Sequence, residues 1–354
     1  MTQLDLFLPF ALPPEEMARD LLRALDLPAL ALLLARGRRT ERQASDGFAR
    51  ALPHEPRLAR QFGLAGDAAS SPPLAPALMR RFGLVPENGT WFILQPAHLH
   101  VAHDHLVLTD LRQLALSEAE ARALFAAAQP LFEEAGKPLR YGDARTWFMR
   151  ADDWTALRTS TPDAACGHNI DIWMPAGPHE RDWRRLQNEV QMHWHMHAVN
   201  EARELDSRRP VNTLWLWGGG TTPAAPVPET AVFVPSADAG LYTDSYTDPY
   251  AALGAPRTAV SSAADMLRAP PPHAVLLLDE LAGFALAGAW SEWLTVFHHY
   301  ETTWFAPLRD ALQGGLLDRL VLTLGNDRAL AVHTVTRSSL RRFWRSPSLA
   351  ALAS

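Results

Sequence analysis

The chain has 354 residues, a formal net charge of −6 and 47% hydrophobic residues. That length suits one large domain or two of ordinary size, and the composition is globular, not disordered. The acidic balance gives no support to a polyanion such as nucleic acid, and the single Cys166 excludes an internal disulfide framework or a multi-cysteine zinc site.

The opening MTQLDLFLPFALPPEE lacks the basic start of a secretory signal. No apolar run approaches the roughly 18 residues of a membrane helix. A soluble, cytoplasmic protein with no membrane partner is expected, and the lone cysteine fits a reducing compartment. Within the opening, LDLFLPFAL is a compact apolar run and predicts a buried strand. A helix follows, interrupted at Pro28, and a second ends near Gly37. WFILQPAHLHVAHDHLVLT predicts a hairpin with Ala102-His103-Asp104 at its turn. Ser117 and Glu120 have capping-box spacing and open a helix that stops at Gly136.

RTWFMRA and NIDIWMPAG predict further strands, making 88–176 a small α+β unit. A long helix is expected from Pro178 to about Glu204. VNTLWLWGGG then predicts a strand whose glycines form a ligand-facing loop. A proline-rich linker, the strand HAVLLLDE, a helix over WLTVFHHYETTWFAPLRDAL, the strand LDRLVLTLG and the strand LAVHTVT complete the chain, with a basic tail. Strands alternating with helices argue for a mostly parallel sheet.

Histidines concentrate in two places. In NEVQMHWHMH, Glu189, His193 and His197 repeat at i, i+4 and i+8, whereas His195 points elsewhere on a straight helix. Such a row supplies too few convergent ligands, and the HExxH pattern is absent; Leu186 and Val190 on the same side predict a packed face. In PAHLHVAHDH, His98, His100, His103 and His105 are hairpin histidines, with a metal-binding hairpin as the alternative. Asp279 and Asp327 each follow an apolar strand, where a carboxylate serves a ligand or caps a helix. Arg337, Arg341, Arg342 and Arg345 form either a solvated tail or a phosphate grip.

The order LVLTDLRQLALSEAEARALF, TWFMRADDWTALRTSTPDAACGHNIDIWMPAG, HAVNEARELDSRRPVNTLWLWGGG resembles the archaeal-type cofactor-independent phosphoglycerate mutases. The matching positions are His197, Val199, Asn200, Arg203, Asn212, Trp215, Trp217, Gly218 and Gly220. A bacterial branch, the RpfE-type regulatory proteins, is similar through NEVQM…H.H..N..R and NTLWLWGGG. The resemblance covers about residues 85–220 well and the rest faintly. It implies an α/β, alkaline-phosphatase-like three-layer core over 1–87 and 206–354, with an α+β cap lobe inserted at 88–205.

In that family two divalent metals, manganese or zinc, ionise a serine that takes the phosphoryl group. By resemblance the serine is Ser45, beside Asp46, and the surviving metal carboxylates are Asp279 and Asp327. The first core strand has no acid at its end, Phe284 stands in a histidine position, and Asn326-Asp327 replaces Asp-His. The expectation is therefore a degenerate mutase-like protein, non-catalytic and regulatory, with no cofactor. It would bind a small anionic ligand or a protein partner in a cleft between core and cap, lined or braced by His197, Asn200, Arg203 and Asn212. The alternative is an active metal-dependent phosphoglycerate mutase or phosphatase using Ser45, the residual carboxylates and manganese or zinc.

Overall fold

The computed structural model describes residues 2–222, 229–236 and 249–353. In chain order its strands are β1 (Gln3–Leu8), β2 (Arg38–Ala44), β3 (Thr90–Ala97), β4 (Leu99–Ala102), β5 (His105–Leu108), β6 (Leu139–Tyr141), β7 (Trp147–Arg150), β8 (Thr213–Thr221), β9 (Ala231–Pro235), β10 (Arg257–Val260), β11 (His273–Leu277), β12 (Arg319–Gly325) and β13 (Ala329–Thr336). The chain divides into two compact units, 1–47 with 52–62 and 228–354, and 48–51 with 63–227.

The first unit carries a seven-stranded sheet in the order β10-β9-β11-β1-β12-β13-β2. Strands β10 to β12 of this order are parallel, and β13 and β2 are each antiparallel to the neighbour before. β1 is buried on both faces, as the apolar run predicts. Its acid, Asp5, lies 2.7 Å from His273 Nε2 and accepts from Gln3 Nε2 at 3.1 Å.

Helices cover both faces of this sheet, giving three layers. A Cβ on Gly37, which ends helix Pro28–Arg36, would meet Val335 Cγ2 at 3.1 Å, so that helix lies on the Val335 side of β13. Helix His54–Gln61 lies on the other side, where Arg57 bonds Glu41 at 2.7 Å and Val321, Leu330 and Val332 form an apolar cluster. The helices interrupted at Pro28 occur as expected, at Glu15–Ala24 and Pro28–Arg36. The second begins without a side-chain cap of its own. Its first amides are met from a distance: Ala29 N and Leu30 N donate to the Glu301 carboxylate at 2.5 and 3.2 Å. Glu301 opens a π-turn, Glu301–Phe305, between helices Trp290–Tyr300 and Ala306–Gly314.

The second unit holds a four-stranded antiparallel sheet, β6-β7-β3-β8, and the β4–β5 hairpin. The hairpin turns at His103-Asp104, with His103 at φ 58°. Helix Glu118–Glu134 has the complete capping box and ends before Gly136 at φ 66°. It packs Leu124, Ala128 and Phe132 against Trp147, Trp183 and Trp194.

Four expectations are corrected. NIDIWMPAG is not a strand: Asn169 Oδ1 accepts from Asp171 N at 3.1 Å and folds Ile170–Ile172 into a 3-10 turn. The long helix is two, Glu180–His195 and Ala198–Leu205, because His197 leaves helical geometry (φ −79°, ψ 136°) to cap the second. The buried face of the first is Trp183, Leu186, Gln187, Val190 and Trp194, which leaves Glu189 half-buried and His193 exposed. The three glycines are not a loop. β8 runs through them beside β3 in the second unit. A Cβ on Gly218 would meet Ile93 Cδ1 at 2.7 Å and one on Gly220 Pro76 Cδ at 2.9 Å, so close packing fixes both residues. The two compact units divide at 47–63 and near 228. Much of the proline-rich linker lies outside the described residues.

His333, in β13, is 3% exposed, and among the described residues neither ring nitrogen has a hydrogen-bond partner. Burial first, and then the charge of Arg39, push its pKa down to about 4. A folded pKa below the unfolded value means that the unfolded chain takes the proton first. Stability is complete above about pH 6.5 and is lost as pH falls from there toward 4, by at most about 3 kcal/mol. In urea melts at pH 7 and pH 5, His333→Leu should be at least as stable as the parent and should lack this part of the acid loss. An unchanged pH slope would refute this.

Candidate functional site

The first place to build a site is the C-terminal edge of the seven-stranded sheet. β11, β1 and β12 are parallel, and β2, antiparallel to β13, runs the same way. Their C-terminal ends therefore share one edge, which carries Asp279 after β11, Asp327 after β12 and Ser45 after β2. These are the residues implied by the resemblance, so the topology gathers them at one edge.

Their chemistry there is poor. Asp279 precedes helix Glu280–Ala287 without capping it by its side chain. The Tyr300 hydroxyl, fully buried nearby, is pushed well above its ordinary pKa by burial and then by the charges of Glu280 and Asp279. Asp327 sits in the β12–β13 turn, 3.5 Å from Arg328 Nε. Asn326 Oδ1 builds that turn by accepting from Arg328 N and Ala329 N at 2.9 and 2.7 Å. Ser45 N donates to Arg328 O at 2.7 Å, and its hydroxyl donates to Asp46 O at 3.3 Å. Ser45 thus has a local backbone partner for its hydroxyl in place of a base.

Between β11 and β12 comes the end of β1, where Phe10, Ala11 and Leu12 are all buried. Phe10 takes φ 55°, a conformation unfavourable to a side chain, and its carbonyl accepts from Trp293 Nε1 at 2.9 Å. The strands bearing Asp279 and Asp327 are therefore about 10 Å apart, two strand spacings, with an apolar loop between them. A two-metal centre holds its ions about 4 Å apart on shared ligands. Phe284 offers no ligand, and among the described residues no three His, Cys, Asp or Glu side chains group as a metal set. Among the described residues, those at this edge do not fit two manganese or zinc ions.

The second place is the junction of helices Glu180–His195 and Ala198–Leu205, where four resemblance residues are hydrogen-bonded inside their own unit. His197 Nδ1 accepts from Val199 N at 3.2 Å. Asn200 Nδ2 donates to Trp194 O and Val211 O at 2.9 and 2.8 Å, and its Oδ1 accepts from Val211 N at 2.7 Å. Asn212 repeats the device: Oδ1 accepts from Leu99 N and Nδ2 donates to Leu99 O, both at 2.8 Å. Asn212 imitates a strand neighbour for Leu99, and Asn200 does the same for Val211.

Arg203 is 1% exposed and donates to Arg209 O at 2.7 Å, to Leu114 O and to both Glu120 oxygens at 3.2 Å. Burial lowers its pKa, and Glu120 opposes that. Glu120 also accepts from Ser117 N and from Arg208 Nη1, at 2.8 and 2.9 Å. Burial alone would raise its pKa; the bonds from Ser117 and Arg208 and the Arg203 charge outweigh burial and hold it at about 2. Sequence reasoning identified Glu120 as a helix cap and missed its partnership with the arginines 83 and 88 residues away. Braces, not ligand-facing groups, describe these four residues.

Sequence reasoning also missed a cavity of about 480 Å³ in the second unit, lined by Leu131, Lys137, Asp153, Asp182, Arg185 and Glu189 among others. Three separate segments build it, so no local motif marks it. Lys137 bonds Asp153 and lies 4.9 Å from the Trp154 ring. The hairpin histidines form no metal set either: His98 Nδ1 is 2.8 Å from Pro210 O, and His100 Nδ1 is 3.2 Å from Thr109 Oγ1. The tail arginines Arg342 and Arg345 reach the last carbonyls of helix Pro28–Arg36.

Arg203→Ala would take one of two cations from Glu120 and remove the donor to the carbonyls of Leu114 and Arg209, and should cost about 1–3 kcal/mol by urea denaturation. A loss below about 1 kcal/mol would show that the brace is unimportant. Because the folded pKa of Glu120 is depressed, its contribution is present above the unfolded value near 4.3 and lost as pH falls toward 2. Glu120→Gln should remove that acid-side loss.

No protein-family profile matches the chain. It is 30% identical over 111 residues to the 2,3-bisphosphoglycerate-independent phosphoglycerate mutase 2 of Methanothermobacter thermautotrophicus, a stretch that is 31% of this chain and 28% of that protein. Among solved structures it is similar to a cofactor-independent phosphoglycerate mutase from Thermoplasma acidophilum, at 14% identity and a TM-score of 0.44 over 100% of this chain and 94% of that one. A Pyrococcus horikoshii protein is similar at 10% identity and a TM-score of 0.45, over 95% and 87%. The relationship to phosphoglycerate mutases therefore rests on a sequence match over less than a third of the chain.

Proposed function

We propose that this chain is a degenerate relative of the phosphoglycerate mutases that regulates by binding and does not turn over a phosphoester, in the manner suggested by its RpfE-type motifs. The observation that carries the reading is the sheet edge. Phe10, Ala11 and Leu12 fill the place between Asp279 and Asp327, and Ser45 bonds Asp46 O in place of a base. A serine without a base or metal is a weak nucleophile, and two carboxylates on either side of an apolar loop cannot clamp a transferring phosphoryl group. The ligand or protein partner is proposed to be bound elsewhere than on His197, Asn200, Arg203 and Asn212, whose described hydrogen bonds are all internal. The 480 Å³ cavity sets four carboxylates against two cations, which disfavours a phosphorylated ligand there.

The test is turnover with added metal. Purified protein with manganese or zinc should not interconvert 3- and 2-phosphoglycerate or hydrolyse p-nitrophenyl phosphate, and metal analysis should find no stoichiometric ion. Metal-stimulated turnover that Ser45→Ala and Asp279→Asn abolish would establish the active-enzyme reading instead.

A further inference from the structure

The chain is acidic overall, yet segments 27–40 and 328–354 carry arginines and no acidic residue. The fold brings them together. Arg36 Nη1 donates to Leu340 O at 2.8 Å, Arg342 Nη1 to Arg36 O at 3.4 Å, and Arg345 Nη1 to Ala35 O at 3.2 Å. Ser348 N donates to Ala31 O at 3.2 Å. Arg39 joins the same side. It is opposite His333 in the β2–β13 ladder, and opposed residues share a face; His333 and Val335 are two apart on β13, so both face helix Pro28–Arg36.

Five arginines, Arg36, Arg39, Arg341, Arg342 and Arg345, thus gather at one corner of the first unit. None forms an ion pair among the described residues, and the nearest acids in sequence, Glu41 and Asp327, are matched to Arg57 and Arg328. Between these arginines stand Phe343 and Trp344, 80% and 68% exposed, ring centroids 5.3 Å apart and edge to face. Most of both rings' surface is open to solvent.

Uncompensated positive charge calls for an anionic partner, and the projecting rings choose among anions. A stacking platform for nucleobases presents a ring face supported by the protein. Two adjacent rings that project from a collar of arginines match the lipid interface instead, where aromatics enter the headgroup boundary and guanidinium groups meet phosphates. We propose that the Arg36–Arg39 and Arg341–Arg345 corner is a peripheral docking surface for anionic phospholipid, with Phe343 and Trp344 as its apolar wedge. The inference does not depend on whether the sheet edge is catalytic. No described helix is long and apolar enough to cross a membrane, so contact would be at the surface.

The test is co-sedimentation of the full chain with phosphatidylcholine vesicles, with and without about one third phosphatidylglycerol. Binding is expected only with phosphatidylglycerol and should weaken with salt. Arg39→Gln and Arg341→Gln, which break no described hydrogen bond of those side chains, should each weaken binding about fivefold. Phe343→Ser with Trp344→Ser should abolish it while the melting temperature stays unchanged. Failure to bind phosphatidylglycerol vesicles would overturn the proposal. So would binding that survives the double aromatic substitution, or binding to a single-stranded oligonucleotide, lost in the same variants, without vesicle binding.

Discussion

A strand bonded on both sides and covered on both faces has no room for an unpaired charge, and β1 is under that constraint. Its neighbours β11 and β12 run parallel to it, and its side chains are buried on both faces. The acid it carries, Asp5, lies near its start and is matched by His273 and Gln3. At its other end the chain turns into Phe10, Ala11 and Leu12. Parallel sheets present their working groups at the C-terminal edge, and here the central position of that edge is apolar. The carboxylates on either side then lack the third group that would draw them together.

The same accounting explains the second unit. Where helix Glu180–His195 ends, the Trp194 carbonyl, already met by His197 N, and the backbone of 211 and 99 take partners beyond the ladders. Asn200 and Asn212 supply them, each through both ends of its amide. Arg203 does so with three sets of acceptors. Residues shared with an enzyme family by motif can hold such places for architectural reasons. A motif reports that a local structure has been kept, and the chemistry must be read from which atoms remain available.

Legibility in the sequence followed the range of the deciding interactions. β1, the Pro28 interruption, the His103-Asp104 turn and the Ser117–Glu120 box depend on neighbours within a few residues, and they were readable. β2, RRTERQA, has neither alternation nor apolar content; its pairing with β13 makes it a strand. The helix break at His197 depends on Asn200 reaching Val211, and the extended role of Glu120 depends on residues more than 80 positions away. The alternating letters of NIDIW suggested a strand until a side-chain oxygen of Asn169 took the amide that a ladder would have used. Of the candidate site, the sequence showed which acids survive but not what stands between them.

The π-turn Glu301–Phe305 has a consequence for chain length. A wide turn holds one residue more than an α-turn. It brings Glu301 to the amides of Ala29 and Leu30 while Trp293, Phe297, Trp304 and Leu308 all remain buried. Removing any one residue of this turn would restore ordinary winding and rotate one flank about 100° against the other. Either the carboxylate would leave the helix end or two aromatic rings would leave the interior. The number of residues between these two anchors is thus a structural quantity in its own right, and an alignment gap placed there would be a claim about packing.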